Sequence, residues 1–156
     1  MAARLARHRD IPAIVDLAKE AHGRSAYKHV GFDDQAATRA VQRHIGMGLP
    51  PSIGSAAIFV AGEDGISAAL AAICAPLYEC LGALLITDVF WYAGGGRGGV
   101  EVLDAFHDWA SLCKSPYVVR QGVTDFISDS PDRAATLLTR RGLRKAGYIF
   151  EKENLT

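Results

Sequence analysis

Apolar residues recur along this chain with two periods, and the switches between them mark the elements. Ile11, Ile14, Val15 and Ala18 follow the spacing of one helix face, with Asp10 placed to cap the start and Gly23 a natural stop. Arg4 to His8, just before, reads as a short strand. Arg24 to Phe32 shows no period and is expected to be a loop. A second helix is predicted from about Asp33 to Ile45, with Ala37, Ala40, Val41 and Ile45 on one side, before Gly46, Gly48, Pro50, Pro51 and Gly54 break the chain.

From Ala56 the pattern changes to β-prone runs, Ala56 to Ala61, Ile66 to Leu77 and Leu84 to Ala93, separated by Glu63-Asp64-Gly65 and by the Cys80 to Gly82 region. Three consecutive strands with short connections imply an antiparallel meander. The fourth strand runs into Gly94-Gly-Gly-Arg-Gly-Gly99, and Val102, Leu103, Phe106, Trp109, Ala110 and Cys113 then repeat with a helical period. Tyr117 to Thr124 reads as a fifth strand. Ser130-Pro131-Asp132 supplies a cap, an N1 proline and an acidic first turn for a helix ending at Gly142, and Leu143 to Glu153 reads as a final strand. The order is β-α-α-β-β-β-α-β-α-β without an internal repeat, and one domain is expected over residues 1 to 156.

Composition narrows the ligands. Lys plus Arg equals Asp plus Glu at 17 each, so no overall field attracts nucleic acid or an acidic membrane surface, and any charged ligand must be held locally. Pro76, Glu79, Gly82 and Asp88 divide the apolar stretch from Ile66 to Ala93 into pieces shorter than the ~20 residues of a membrane helix. The charged start lacks a secretory apolar stretch. Cys74, Cys80 and Cys113 lie in apolar runs without CxxC spacing, so buried, reduced thiols and a cytoplasmic setting are expected. His8, His22, His29, His44 and His107 show no metal-ligand spacing, and no metal is expected. His107 is expected to face solvent, and His29 is placed in a loop that could touch a substrate. No GxSxG elbow points to a hydrolase.

The chemistry concentrates in the glycine-rich turn. A strand leading into glycines and then a helix presents backbone N–H groups at the positive end of the helix dipole, which suits a diphosphate. Five glycines in the six residues from Gly94 to Gly99 let a ligand approach the backbone, and Arg97 adds a charge for phosphate. The plainer reading is a surface turn with a solvated arginine. A P-loop fails because Val100 stands where its lysine would follow the last glycine. Gly94, Gly96 and Gly99 match the dinucleotide fingerprint GxGxxG, but a meander precedes the turn where alternating strands and helices would be needed.

The whole order of elements resembles the GNAT N-acetyltransferase superfamily. That resemblance rests on Trp91-Tyr-Ala-Gly-Gly-Gly-Arg-Gly-Gly-Val100 as the counterpart of the family's Arg/Gln-x-x-Gly-x-Gly/Ala turn, and on Ala134 to Leu143 as its Ala-x-x-x-Tyr-x-x-x-Gly-Phe ending. Two registers of the turn are open, one placing Gly94 and the other Arg97 at the leading position. Size, the Trp-Tyr strand end and the Arg-Gly-Gly turn are also similar to compact bacteriophage-encoded members.

The resemblance implies an α/β (α+β) fold with a central mixed, mostly antiparallel sheet flanked by helices. It implies acetyl-CoA as cofactor and an amine acceptor, with acetyl transfer by direct attack. The backbone of Val89, Phe90, Trp91 and Tyr92 would hold the pantetheine arm, and Gly94, Gly95, Gly96, Arg97, Gly98 and Gly99 the diphosphate. Asp88 is the expected base, because an amine must lose a proton before it attacks a thioester, and Glu79 is a weaker candidate. The family's acid tyrosine falls on Leu138 and its asparagine on Pro131, leaving Tyr148 or Tyr117 as proton donors, although a tyrosine in a strand commonly packs. Leu138 and Gly94 also support an alternative, a GNAT fold kept as a structural or interaction module, such as a phage virion component. Apolar strands at a sheet edge make a homodimer or larger assembly conceivable.

Overall fold

The computed structural model describes residues 2–46, 50–63, 65–79, 81–95, 97–123 and 131–147. Among these, β1 (Arg4–Leu5), β2 (Ala56–Ala61), β3 (Ala68–Pro76), β4 (Leu84–Ala93) and β5 (Tyr117–Arg120) form one sheet in chain order. Neighbours from β1 to β4 are antiparallel, and β5 runs parallel to β4. A parallel pair needs a crossover. Here α3 (Gly98–Ser111) supplies it.

The apolar alternation seen in the sequence sorts side chains to two faces. Ala57, Phe59, Leu70, Ala72, Leu84 and Ile86 meet Val102, Leu103, Phe106 and Trp109 of α3 and Leu138 of α4 (Pro131–Arg140) on one side. Ile58, Val60, Ala69 and Tyr92 meet Ile14, Val15 and Leu17 of α1 (Ile11–Arg24) on the other, with Ala37 and Val41 of α2 (Asp34–His44) at the periphery. Arg141 clamps the end of α4 to α3 through Asp104, at 2.8 Å.

The pairing of β3 with β4 contains one irregularity. Ala71 lies opposite Phe90 but Ala72 lies opposite Asp88, so Val89 is an extra residue, a β-bulge in β4. Before it, the even-numbered Leu84 and Ile86 face α3. After it, the odd-numbered Trp91 does, and Tyr92 turns to α1.

Several sequence expectations are corrected. The first strand stops at Leu5, and His8–Asp10 form a 3-10 turn. Asp10 does not cap α1 with its side chain. Its carboxylate accepts two hydrogen bonds from the Arg4 guanidinium, at 2.6 and 3.0 Å, and one from the Arg7 amide at 2.8 Å. The Arg4 bonds hold the carboxyl down at about 2. Helix α1 passes through Gly23 and ends where the Ser25 hydroxyl donates to the His22 carbonyl, at 2.8 Å. By contrast, Asp33, where the second helix was expected to begin, caps α2 with its side chain, accepting from the Gln35 and Ala36 amides, both at 2.9 Å. Cys74 is buried and Cys113 only half-buried, beyond the end of α3. Residues 143–147 are not a strand, and the remainder of the expected final strand lies outside the described residues, as do Cys80, Thr124 and Ser130.

Candidate functional site

The parallel pairing of β4 with β5 runs only from Leu84 opposite Tyr117 to Thr87 opposite Arg120. β4 continues to Ala93, bonded to β3 alone among the described strands. The backbone groups of Asp88 to Ala93 that point away from β3 therefore line an open edge of roughly 20 Å at the rise of a strand. A buried edge requires partners for these groups. This splay leads directly into the glycine-rich turn.

Asp88 sits where the strands part. It lies opposite Ala72, whose side chain is in the α3-side core, so its carboxylate is on that face too. Oδ1 accepts the Gly122 amide at 3.1 Å, just after β5 ends. Burial raises the Asp88 carboxyl to about 6, against hydrogen bonds from the Gly122 and Asp88 amides that favour the charged form. An acid in an apolar strand thus has a structural role, since it pins the strand exit. One residue earlier, His107 Nε2 bonds Gln121 Oε1 at 2.9 Å. His107 is therefore half-buried and engaged, not turned to solvent as expected. Gln121 and Gly122 border the candidate site without being singled out by the sequence, although Gln121-Gly122 interrupting a β-prone run is a signal that could have found them.

The turn itself is tightly built. Gly94 donates its amide to the Ser67 carbonyl at 2.9 Å, and Gly95 has φ of +140°, a conformation few other residues adopt. Gly98 and Gly99 serve packing as well as approach. A Cβ on Gly98 would lie 2.9 Å from Ala68 Cβ, and one on Gly99 2.9 Å from Ala93 Cβ, so their absence lets α3 seat against β3 and β4. Trp91 Nε1 donates to the Gly99 carbonyl at 3.1 Å, locking the strand to the helix start. Arg97 is exposed at the N-cap of α3, and its carbonyl accepts the Val100 and Glu101 amides. The amides of Gly98 and Gly99 precede any carbonyl one helical turn back and face the dipole's positive end. Gly96 lies outside the described residues.

On the α1 side, Tyr92 donates its hydroxyl to Glu20 Oε1 at 3.3 Å, and Arg24 pairs with the same oxygen at 2.8 Å. Glu20 Oε1 lies 3.7 Å from the place a Cβ of Gly94 would take, bringing the end of α1 to the turn. Val89 projects outward, 52% exposed, while Phe90 packs on the α1 side.

Other candidates are not brought here. Tyr117 lies opposite Leu84, at the far end of the β4–β5 pair from Asp88, and is exposed. Glu79 is exposed in the connection beyond Pro76, also at that far end. His29 bonds the Ala26 carbonyl at 3.0 Å in the exposed loop after α1. Leu138 is core, 6% exposed. Tyr148 lies outside the described residues. Among the described residues there is no His, Cys, Asp or Glu group able to hold a metal, and no helix is long and apolar enough to cross a membrane.

No family model matches the sequence, and no curated protein matches it. Solved structures do match over nearly the full length. A predicted acetyltransferase with acetyl-CoA from Clostridium acetobutylicum superposes with a TM-score of 0.66 at 15% identity, covering 97% of this chain and 94% of that one. A Trypanosoma brucei acetyltransferase gives 0.61 at 10% identity, over 97% and 98%. A transcriptional regulator from Bacillus halodurans gives 0.64 at 13% identity, over 99% of both chains. With its mixed sheet, its crossover α3 and the splay between β4 and β5, the chain has the GNAT acetyltransferase fold.

Proposed function

We propose that this protein is an N-acetyltransferase that moves the acetyl group of acetyl-CoA directly to a primary amine. The observation that carries the reading is the splay: β4 loses its β5 partner after Thr87 and leads along an open edge into the glycine-rich start of α3. The residues present fit acetyl-CoA. Backbone groups of Val89 to Tyr92 on the open edge would hydrogen-bond its pantetheine arm, and the amides of Gly95 to Gly99 with the Arg97 guanidinium would take its diphosphate. The cofactor supplies an activated acyl thioester.

The chain's own groups then have three roles. The open edge would orient the thioester carbonyl and set backbone N–H donors against its oxygen. Asp88 receives the proton from the acceptor ammonium, directly or through water, and a carboxyl near 6 suits that transfer at neutral pH better than an ordinary one. Tyr148 is assigned to return a proton to the departing thiolate.

A melting assay tests the cofactor reading. Acetyl-CoA at 100 times its Kd should add about 2.7 kcal/mol of stability, and a transition unmoved by millimolar acetyl-CoA or CoA sinks the proposal.

A further inference from the structure

Gln121 is the first residue after the last paired position of β5, and both of its neighbours in space are fixed. Its Oε1 has no proton to give, so the His107 ring nitrogen 2.9 Å away must donate to it. The next residue, Gly122, gives its amide to Asp88 at 3.1 Å. The strand exit is thus pinned to α3 on one side and to β4 on the other. With Oε1 committed, the other end of the side chain is fixed as well. That end, Nε2, is buried and has no hydrogen-bond partner among the described residues. A buried amide nitrogen without an acceptor is costly, and native structures rarely keep one without a reason.

The local chemistry selects the missing acceptor. The donor is neutral, and the Asp88 carboxylate nearby disfavours an anion. A neutral carbonyl oxygen, as in an amide or thioester, suits both conditions. We propose that Gln121 is a ligand-binding residue of the splay, its side-chain NH2 donating to a carbonyl oxygen of the acyl-pantetheine arm and its orientation set by His107. The inference rests on the acetyl-CoA reading above, and it makes His107 a positioning residue that touches no ligand.

Calorimetric titration with two probes tests it: CoA, and adenosine 3′,5′-bisphosphate, which keeps the nucleotide end but lacks the arm. In the wild type CoA should bind more tightly than the bisphosphate. Gln121→Leu and the shape-preserving Gln121→Glu should each weaken CoA by about tenfold, the effect of one buried hydrogen bond, and leave the bisphosphate within about twofold. His107→Ala should show a smaller loss with the same selectivity, and His107→Gln, which restores a donor, should recover it. Gln121 variants that bind CoA like the wild type, or that weaken both probes alike, overturn the assignment. So does a wild type for which the arm adds no affinity. A wild type that binds neither probe overturns the acetyl-CoA reading itself, an outcome distinct from failure of the Gln121 variants alone.

Discussion

The first half of β4, Leu84 to Thr87, is hydrogen-bonded to β3 on one side and β5 on the other, whereas the second half, Asp88 to Ala93, has among the described residues a strand only on the β3 side. Ile86 in the first half is fully buried and Val89 at the junction is half exposed. The same strand is therefore enclosed in the sheet at one end and open along one edge at the other. The open half is instead tied to α3, by way of the Trp91 to Gly99 hydrogen bond and the close approach of Gly99 to Ala93.

The contrast can be broken at four points. Ile86→Ala should cost about 2–5 kcal/mol in urea unfolding, the usual range for truncating a fully buried side chain. A loss under about 1 kcal/mol would mean that the doubly paired half is not the rigid one. Gly98→Ala should cost about 1–3 kcal/mol, because its methyl would meet Ala68 Cβ at 2.9 Å. Adding Ala68→Gly should recover part of that loss, and additive single effects would show that the contact is not the cause.

Asp88→Asn should separate stability from chemistry. The folded carboxyl lies at about 6, above its ordinary 3.8, so its contribution is fully present below pH 3.8 and is lost as pH rises through 6. The wild type should therefore lose stability across that window relative to Asp88→Asn. At pH 7 the variant should be the more stable, by on the order of 1 kcal/mol, while amine acetylation falls steeply. Melting temperatures of the two proteins that stay parallel from pH 4 to 7 would contradict the burial of the charge. The smallest effect belongs to the exposed bulge: Val89→Thr should change unfolding free energy by less than about 0.5 kcal/mol. A large loss there would place the junction in the framework.

Legibility in the sequence divides along similar lines. The strands of the meander, the start of α2 and the apolar face of α3 are written in local period and local chemistry, and they stand where expected. Asp10 misled because its acceptor capacity went to Arg4, whose contact with it depends on how β1 and the 3-10 turn sit together. Gly23 misled because a helix held by a buried face can carry one glycine through its last turn. At the candidate site, Asp88 and the glycine-rich turn were visible as an acid among apolar residues and a cluster of glycines. The packing role of Gly98 and Gly99 was not, since it is defined by Ala68 and Ala93 from other elements. Nor was the link from His107 through Gln121 and Gly122 to Asp88, which needs α3, the β5 exit and β4 to be brought together.

The single extra residue at Val89 makes chain length a variable in its own right. Deleting any one residue between Thr87 and Phe90 would leave an apolar stretch that still forms a strand, with nearly the same composition. The bulge would be gone, and Phe90 to Ala93 would keep their partners on β3 and their sides of the sheet, with Trp91 still opposite Leu70 and facing α3. In comparisons with other chains of this fold, an ungapped alignment against a strand without the bulge would therefore assign each side chain from Phe90 to Ala93 to the wrong side of the sheet.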